Sequence, residues 1–167
     1  MTRSIAAPLL ILLALLMTVP ARAVDGGASG GEGSGGDGGR ETSSGGYDPQ
    51  YATAMEAVKA GRYADAVPLL EQVVIRNPRH ADAHNNLAFS HRKLGDTATA
   101  MTLYAKALEI DPRHLGALEY QGELFLQIGE PQRAEANLRL LERLCGTCEQ
   151  QEDLAEAIQT YAAKPKS

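Results

Sequence analysis

From residue 47 onward, small and apolar positions return at a fixed interval. Gly61, Gly95 and Gly129 stand 34 residues apart, and Ala66, Ala100 and Ala134 keep the same spacing. So do Leu70, Tyr104 and Leu138, and Val73, Ala107 and Leu141. Pro78 and Pro112 close the first two units, so the period divides the chain into residues 47–80, 81–114 and 115–148. Within a unit the pattern predicts helix, short turn, helix. In the second unit Leu87, Ala88, His91 and Leu94 form one helical stripe, and Ala100, Leu103, Tyr104, Ala107 and Leu108 form another. Gly95-Asp96 punctuates the two, and Asp111-Pro112 stops the second helix as Asn77-Pro78 stops its counterpart. Pro131 falls at a first helical turn, where its missing N–H does no harm, and Pro68 lies about one turn into its helix. Ala66, Ala100, Ala134 and Gly122 are small enough to let helices cross closely. A helix pair buries only one face alone, so the units must stack.

Two segments flank this array. Residues 149–164 predict a seventh helix with Leu154, Ala157, Ile158 and Tyr161 on a narrow apolar face, suited to capping the last unit. At the other end, Arg3, the apolar run Ile5–Val19 and Ala21-Arg22-Ala23 predict a signal peptide, residues 1–23, cleaved after Ala23. That run would span about 22 Å as helix, short of the ~30 Å hydrocarbon core, so a retained membrane anchor is not expected. Residues 24–46 hold 11 of the 17 glycines, and 15 of the 23 positions are Gly or Ser. Such a segment cannot bury enough surface to offset its own ordering, and it predicts a disordered linker. Export places the mature chain in the periplasm, or alternatively outside the cell.

Composition narrows the chemistry. The net charge of −5, moving to −7 once Arg3 and Arg22 are removed, argues against nucleic-acid binding. No nucleophile–base pair or close carboxylate pair stands out, so no catalytic residue, cofactor or enzyme activity is expected. Of the four histidines, His84 and His91 lie about 10 Å apart along a helix, too far for one ion. His80 and His84 could chelate only if the helix began before His80, against the Asn77-Pro78 stop; no metal site is expected. Cys145 and Cys148 form a CxxC pair that reads as a structural disulfide, a redox pair or half of a metal site. No βαβ pattern surrounds it, Glu149 stands where haem attachment needs His, and no further zinc ligand lies nearby. An i,i+3 pair at a helix end can meet the distance a bridge requires, which favours the disulfide.

Residues 47–148 resemble the tetratricopeptide repeat family. The second unit carries Leu87, Ala88, Gly95, Ala100, Tyr104, Ala107 and Pro112 where the family's signature has them. The first keeps Gly61, Tyr63, Ala66 and Pro78, and the third keeps Gly122, Gly129 and Ala134. The family's Trp is replaced by Gln50, His84 and Leu118. The resemblance implies an all-α, right-handed α-solenoid of three helix pairs, with residues 149–167 as capping helix and tail. It also implies a concave groove lined by the first helix of each unit. Carried over residue by residue, the groove takes Asp48, Tyr51, Met55, Val58 and Lys59, then Asp82, Asn85, Phe89, Arg92 and Lys93, then Gly116, Glu119, Glu123, Leu126 and Gln127.

Tyr51, Met55 and Phe89 would act as apolar anchors and Asn85 would pair with a peptide backbone. Arg92 and Lys93 would steer acidic groups, while Glu119 and Glu123 would prefer a basic end. The two-cation, two-Asn clamp of chaperone-binding members is not matched, because no cation stands near Tyr51, Gly116 or Tyr120. The implied function is non-catalytic binding of a peptide or helix from another exported protein. The alternatives are a periplasmic assembly chaperone similar to cytochrome c maturation factors, or a thiol-redox protein using the CxxC pair.

Overall fold

Local signals set each helix end. In a computed structural model, which describes residues 48–164, seven helices follow one another: α1 (Pro49–Lys59), α2 (Tyr63–Arg76), α3 (Ala81–Lys93), α4 (Thr97–Ile110), α5 (Leu115–Gln127), α6 (Pro131–Cys145) and α7 (Glu149–Ala163). The predicted signal peptide and linker lie outside the described residues. The Asp48 carboxylate accepts from the Gln50 and Tyr51 amides at 2.8 and 3.2 Å, with Pro49 in the first turn. Asp96 caps α4 through Thr99 at 3.1 Å. His80 and His114, one period apart, cap α3 and α5 through Nδ1, which accepts from the Ala83 and Ala117 amides at 3.3 and 3.2 Å. Each cap satisfies an amide that the first helical turn leaves without a partner. His80 therefore stands outside its helix, as the Asn77-Pro78 stop requires.

The turns repeat as well. Gly95 takes φ +89°, a left-handed value that costs a side-chain-bearing residue energy, and Gly61 and Gly129 hold the same place in their units. Asn77 and Asp111 end α2 and α4 with ψ of 83° and 95°, extended as a residue before proline prefers. Helix α2 continues through Pro68; that residue and Ala64, whose carbonyl it leaves unpaired, are both exposed to water. Leu94 departs from the stripe expected for it and is 52% exposed. It is the C-cap of α3, with its amide still donating to the Ser90 carbonyl and the chain turning at Gly95 just after it.

Packing then gives the array its curvature. Every helix packs on the next one in the chain, and the first helices also touch along the series α1–α3–α5–α7. The second helices α2, α4 and α6 make no such contacts with one another. The first helices therefore lie on the inside of the curve. Ala66, Ala100 and Ala134 are fully buried at the crossings, and the core around them comprises Leu70, Tyr104, Leu124, Leu141 and Leu154. Among the described residues no helix is long and apolar enough to cross a membrane.

Helix α7 closes the last unit by a close approach. A Cβ placed on Gly122 would stand 2.6 and 2.7 Å from the two Leu154 methyls and 3.2 Å from its Cγ. Leu154 is fully buried, so the whole side chain would have to shift. Gly122→Val is expected to destabilise the chain by about 1–3 kcal/mol in urea denaturation. Because the two residues touch, the double variant Gly122→Val, Leu154→Ala should lose less than the two single losses combined. Strict additivity would refute this account of how α7 docks.

Candidate binding groove

The inner surface can be read in rows that follow the 34-residue period. Tyr51, Asn85 and Glu119 form one row, Met55, Phe89 and Glu123 a second, and Val58, Arg92 and Leu126 a third. The period does not stop at the third unit. Asp153 continues the first row on α7, Ala157 the second, Thr160 the third, and Tyr161 follows Lys59, Lys93 and Gln127. Helix α7 packs beside α5 as a fourth first helix, so it forms a wall of the groove as well as the end of the core.

The row residues differ in how far they are already committed. The Tyr51 hydroxyl accepts from Asn86 Nδ2 at 2.9 Å, and its ring centre lies 4.7 Å from that of His80. Burial pushes the Tyr51 phenol up to about 12. It is thus a stacking residue between the first two units more than a free anchor. Asn85 is 5% exposed with Oδ1 buried and unpartnered, too enclosed to receive a peptide backbone in this arrangement. Met55 is half-buried and lies outside the clusters that form the core.

Phe89 is half-buried and packs against the core cluster of Ala88, Ala100, Tyr104 and Leu124. Its ring meets Tyr120 at 4.8 Å and Tyr63 at 5.7 Å, the latter edge-on. The Arg92 guanidinium lies 5.5 Å from the Phe89 ring and 5.8 Å from Tyr120, and Lys93 Nζ is 5.1 Å from Phe89. Arg92 is not a free steering charge: it is 9% exposed and forms an ion pair with Glu123. Lys93 is exposed and remains available.

Beyond Arg92 the groove deepens into a cavity of about 520 Å³ between α3, α5 and α7. Arg92, Glu123, Leu126 and Gln127 line one side; Asp153, Glu156, Ala157, Thr160, Tyr161 and Lys164 line the other. Tyr120, Tyr63 and the α7 residues were not among the candidates drawn from sequence. The α7 positions were visible in the period, since 119, 123 and 127 map onto 153, 157 and 161. Tyr63 and Tyr120 were not, because their contact with Phe89 depends on how the units stack.

Glu119 is the electrostatic exception. It is 5% exposed and forms no hydrogen bond or ion pair among the described residues. Burial, with Glu123, Asp153 and Glu149 nearby, pushes its carboxyl up to about 8; Arg92 opposes this only in part. Cys145 and Cys148 are paired across the turn from α6 to α7, with Cα atoms 5.9 Å apart. The other candidate ligands have ordinary structural partners. His84 Nε2 lies 3.0 Å from the Pro78 carbonyl, and His91 Nδ1 lies 3.2 Å from Asp96.

A sequence profile described as tetratricopeptide repeat matches residues 51–114 and 90–147, together more than half of the chain. The chain belongs to the tetratricopeptide repeat family. Such repeats are in general non-catalytic modules for protein–protein interaction. Over 105 residues, 62% of this chain, it is 38% identical to cellulose synthase 2 operon protein C of Komagataeibacter xylinus. The chain spans only 8% of the length of that relative. Among solved structures it is similar to the Yersinia enterocolitica type III secretion chaperone SycD in complex with a peptide of the translocator YopD. That match has TM-score 0.59 and 20% identity, over 67% of this chain and 86% of the other. It is also similar to the first tetratricopeptide repeat domain of Spaghetti (RPAP3) bound to an HSP90 peptide. There the TM-score is 0.61 and the identity 16%, over 68% of this chain and 91% of the other.

The isolation of Glu119 has a consequence for stability. Its carboxyl holds a proton up to about pH 8 when folded, whereas an unfolded glutamic acid loses it near about 4.3. The folded chain binds the extra proton within that window, so stability falls as pH rises through it. Glu119→Gln keeps the shape and cannot ionise. It is expected to gain thermal stability relative to the original chain between about pH 5 and about pH 8.5. A difference that stays constant with pH would refute the buried-carboxyl account. For the cysteines, intact mass without reductant should be lighter than the reduced chain by one pair of hydrogens. Two free thiols would exclude the bridge.

Proposed function

We propose that the mature chain is an exported, non-catalytic binding module that holds a peptide or helical segment of another protein in its inner groove. The observation that carries this reading is the continuity of the groove. The Phe89–Tyr120 pair and the cavity beside α7 share Arg92, which lies near both rings and lines the cavity. Aromatic and Met side chains commonly supply the energetic centres of an interface, and a partly apolar, partly charged lining suits a protein segment. Family membership supports the same reading, and so do the peptide-bound structures with this fold. The resemblance to a cellulose synthase operon protein makes proteins produced with a cellulose synthase the first partners to test. The proposed signal peptide puts the encounter in the periplasm, and amino-terminal sequencing of the exported protein should then begin at Val24.

Site-specific photo-crosslinking in cells tests the location directly. A photoreactive residue at Phe89 or Tyr161 is expected to trap a discrete partner. The same residue at Ile75, on α2 and 75% exposed, should not. Adducts at Ile75 with none at Phe89 or Tyr161 would overturn the groove assignment.

A further inference from the structure

We propose that the Cys145–Cys148 bridge is a reducible latch that holds α7 against the third unit. Opening it with a dithiol loosens the helix that walls one side of the cavity.

The bond sits where two elements meet. Cys145 is the last residue of α6 and Cys148 is the N-cap of α7, so the ring they close encloses only Gly146 and Thr147. Gly146 takes φ +67°, a left-handed turn that redirects the chain from one helix into the next. Gly146 and Thr147 are exposed and both cysteines are half-buried, which leaves a dithiol a path to the bond from solvent.

The bridge stands where the other first helices have a hydrogen bond. Asp48, His80 and His114 cap α1, α3 and α5 through their side chains. Cys148 follows His114 by one period and gives α7 no side-chain cap. A covalent link thus replaces a capping contact, and unlike that contact it responds to thiols. Among the described residues α7 packs on α5 and α6 alone, with Leu154 against Gly122 as its closest approach. A 15-residue helix is marginal in water by itself, so its order depends on that one-sided packing and on the link at its start.

The reduced form also has a place in the fold. Cys145 Sγ lies 3.2 Å from the Leu141 carbonyl one turn back. In the disulfide this sulfur carries no hydrogen; as a thiol it donates to that oxygen. Exchange proceeds by attack of a dithiol thiolate on one sulfur, and the other sulfur leaves and takes up a proton. The second thiolate of the dithiol then displaces the first sulfur, which is protonated in turn. The dithiol ends as its own disulfide and the chain gains two hydrogens. Asp153, Ala157 and Tyr161 line the cavity from α7, so loosening this helix alters that wall and leaves Phe89 and Tyr120 on α3 and α5. The effect is local, because closing so short a ring removes less chain entropy than closing a long loop.

Amide hydrogen exchange of the mature chain, read by mass spectrometry with and without dithiothreitol, provides the test. Peptides covering Leu154 to Thr160 are expected to exchange about tenfold faster after reduction, while those of α3 and α4 keep their rates. The double variant Cys145→Ser, Cys148→Ser should match the reduced chain and ignore the reagent. Reoxidation of the original chain should restore protection, so the result does not hang on how the variant folds. Equal protection of α7 in the two states would overturn the latch, as would two free thiols in the oxidised chain. Faster exchange in every helix alike would overturn it too, since the bond would then support the whole array. None of these outcomes depends on a bound partner.

Discussion

A helix pair in this chain cannot bury all of its apolar surface by itself, and the architecture follows from where the remaining face is covered. Each unit offers a small residue at its crossing (Ala66, Ala100 or Ala134) and larger ones around it, so that the next unit can approach closely. The fully buried core residues come from this stacking, with Tyr104 and Leu124 meeting across the boundary between the second and third units. At the third unit the open face is taken by α7. Gly122 admits Leu154 at a distance that even an alanine would obstruct, and α7 occupies the open face.

The parts of this arrangement that were legible in sequence are those determined within a few residues. Helix ends depend on Asp48, Asp96 and the proline stops, and turns depend on glycine at three equivalent positions. These signals act locally and repeat with the units. Leu94 shows the limit even at short range. Its spacing matches an apolar stripe, yet at the C-cap of α3, its amide still bonded to the Ser90 carbonyl, it is exposed to water. The groove residues came from the resemblance to the repeat family, which assigned Phe89, Arg92 and Glu119 to one surface. It did not indicate that Arg92 would be paired with Glu123, or that Glu119 would have no partner. Those outcomes depend on distances between neighbouring units, which stacking sets and spacing does not.

The double role of α7 sharpens the picture of the groove. A helix that served only to end a solenoid would turn apolar residues inward and place its charges outside. Leu154 and Ile158 do face the core, but Asp153, Glu156 and Tyr161 border the cavity. Two of these are exposed carboxylates, so their charge stays in water while the backbone that carries them lines the inner surface. The same helix that covers the third unit thus also supplies part of the surface beside α5.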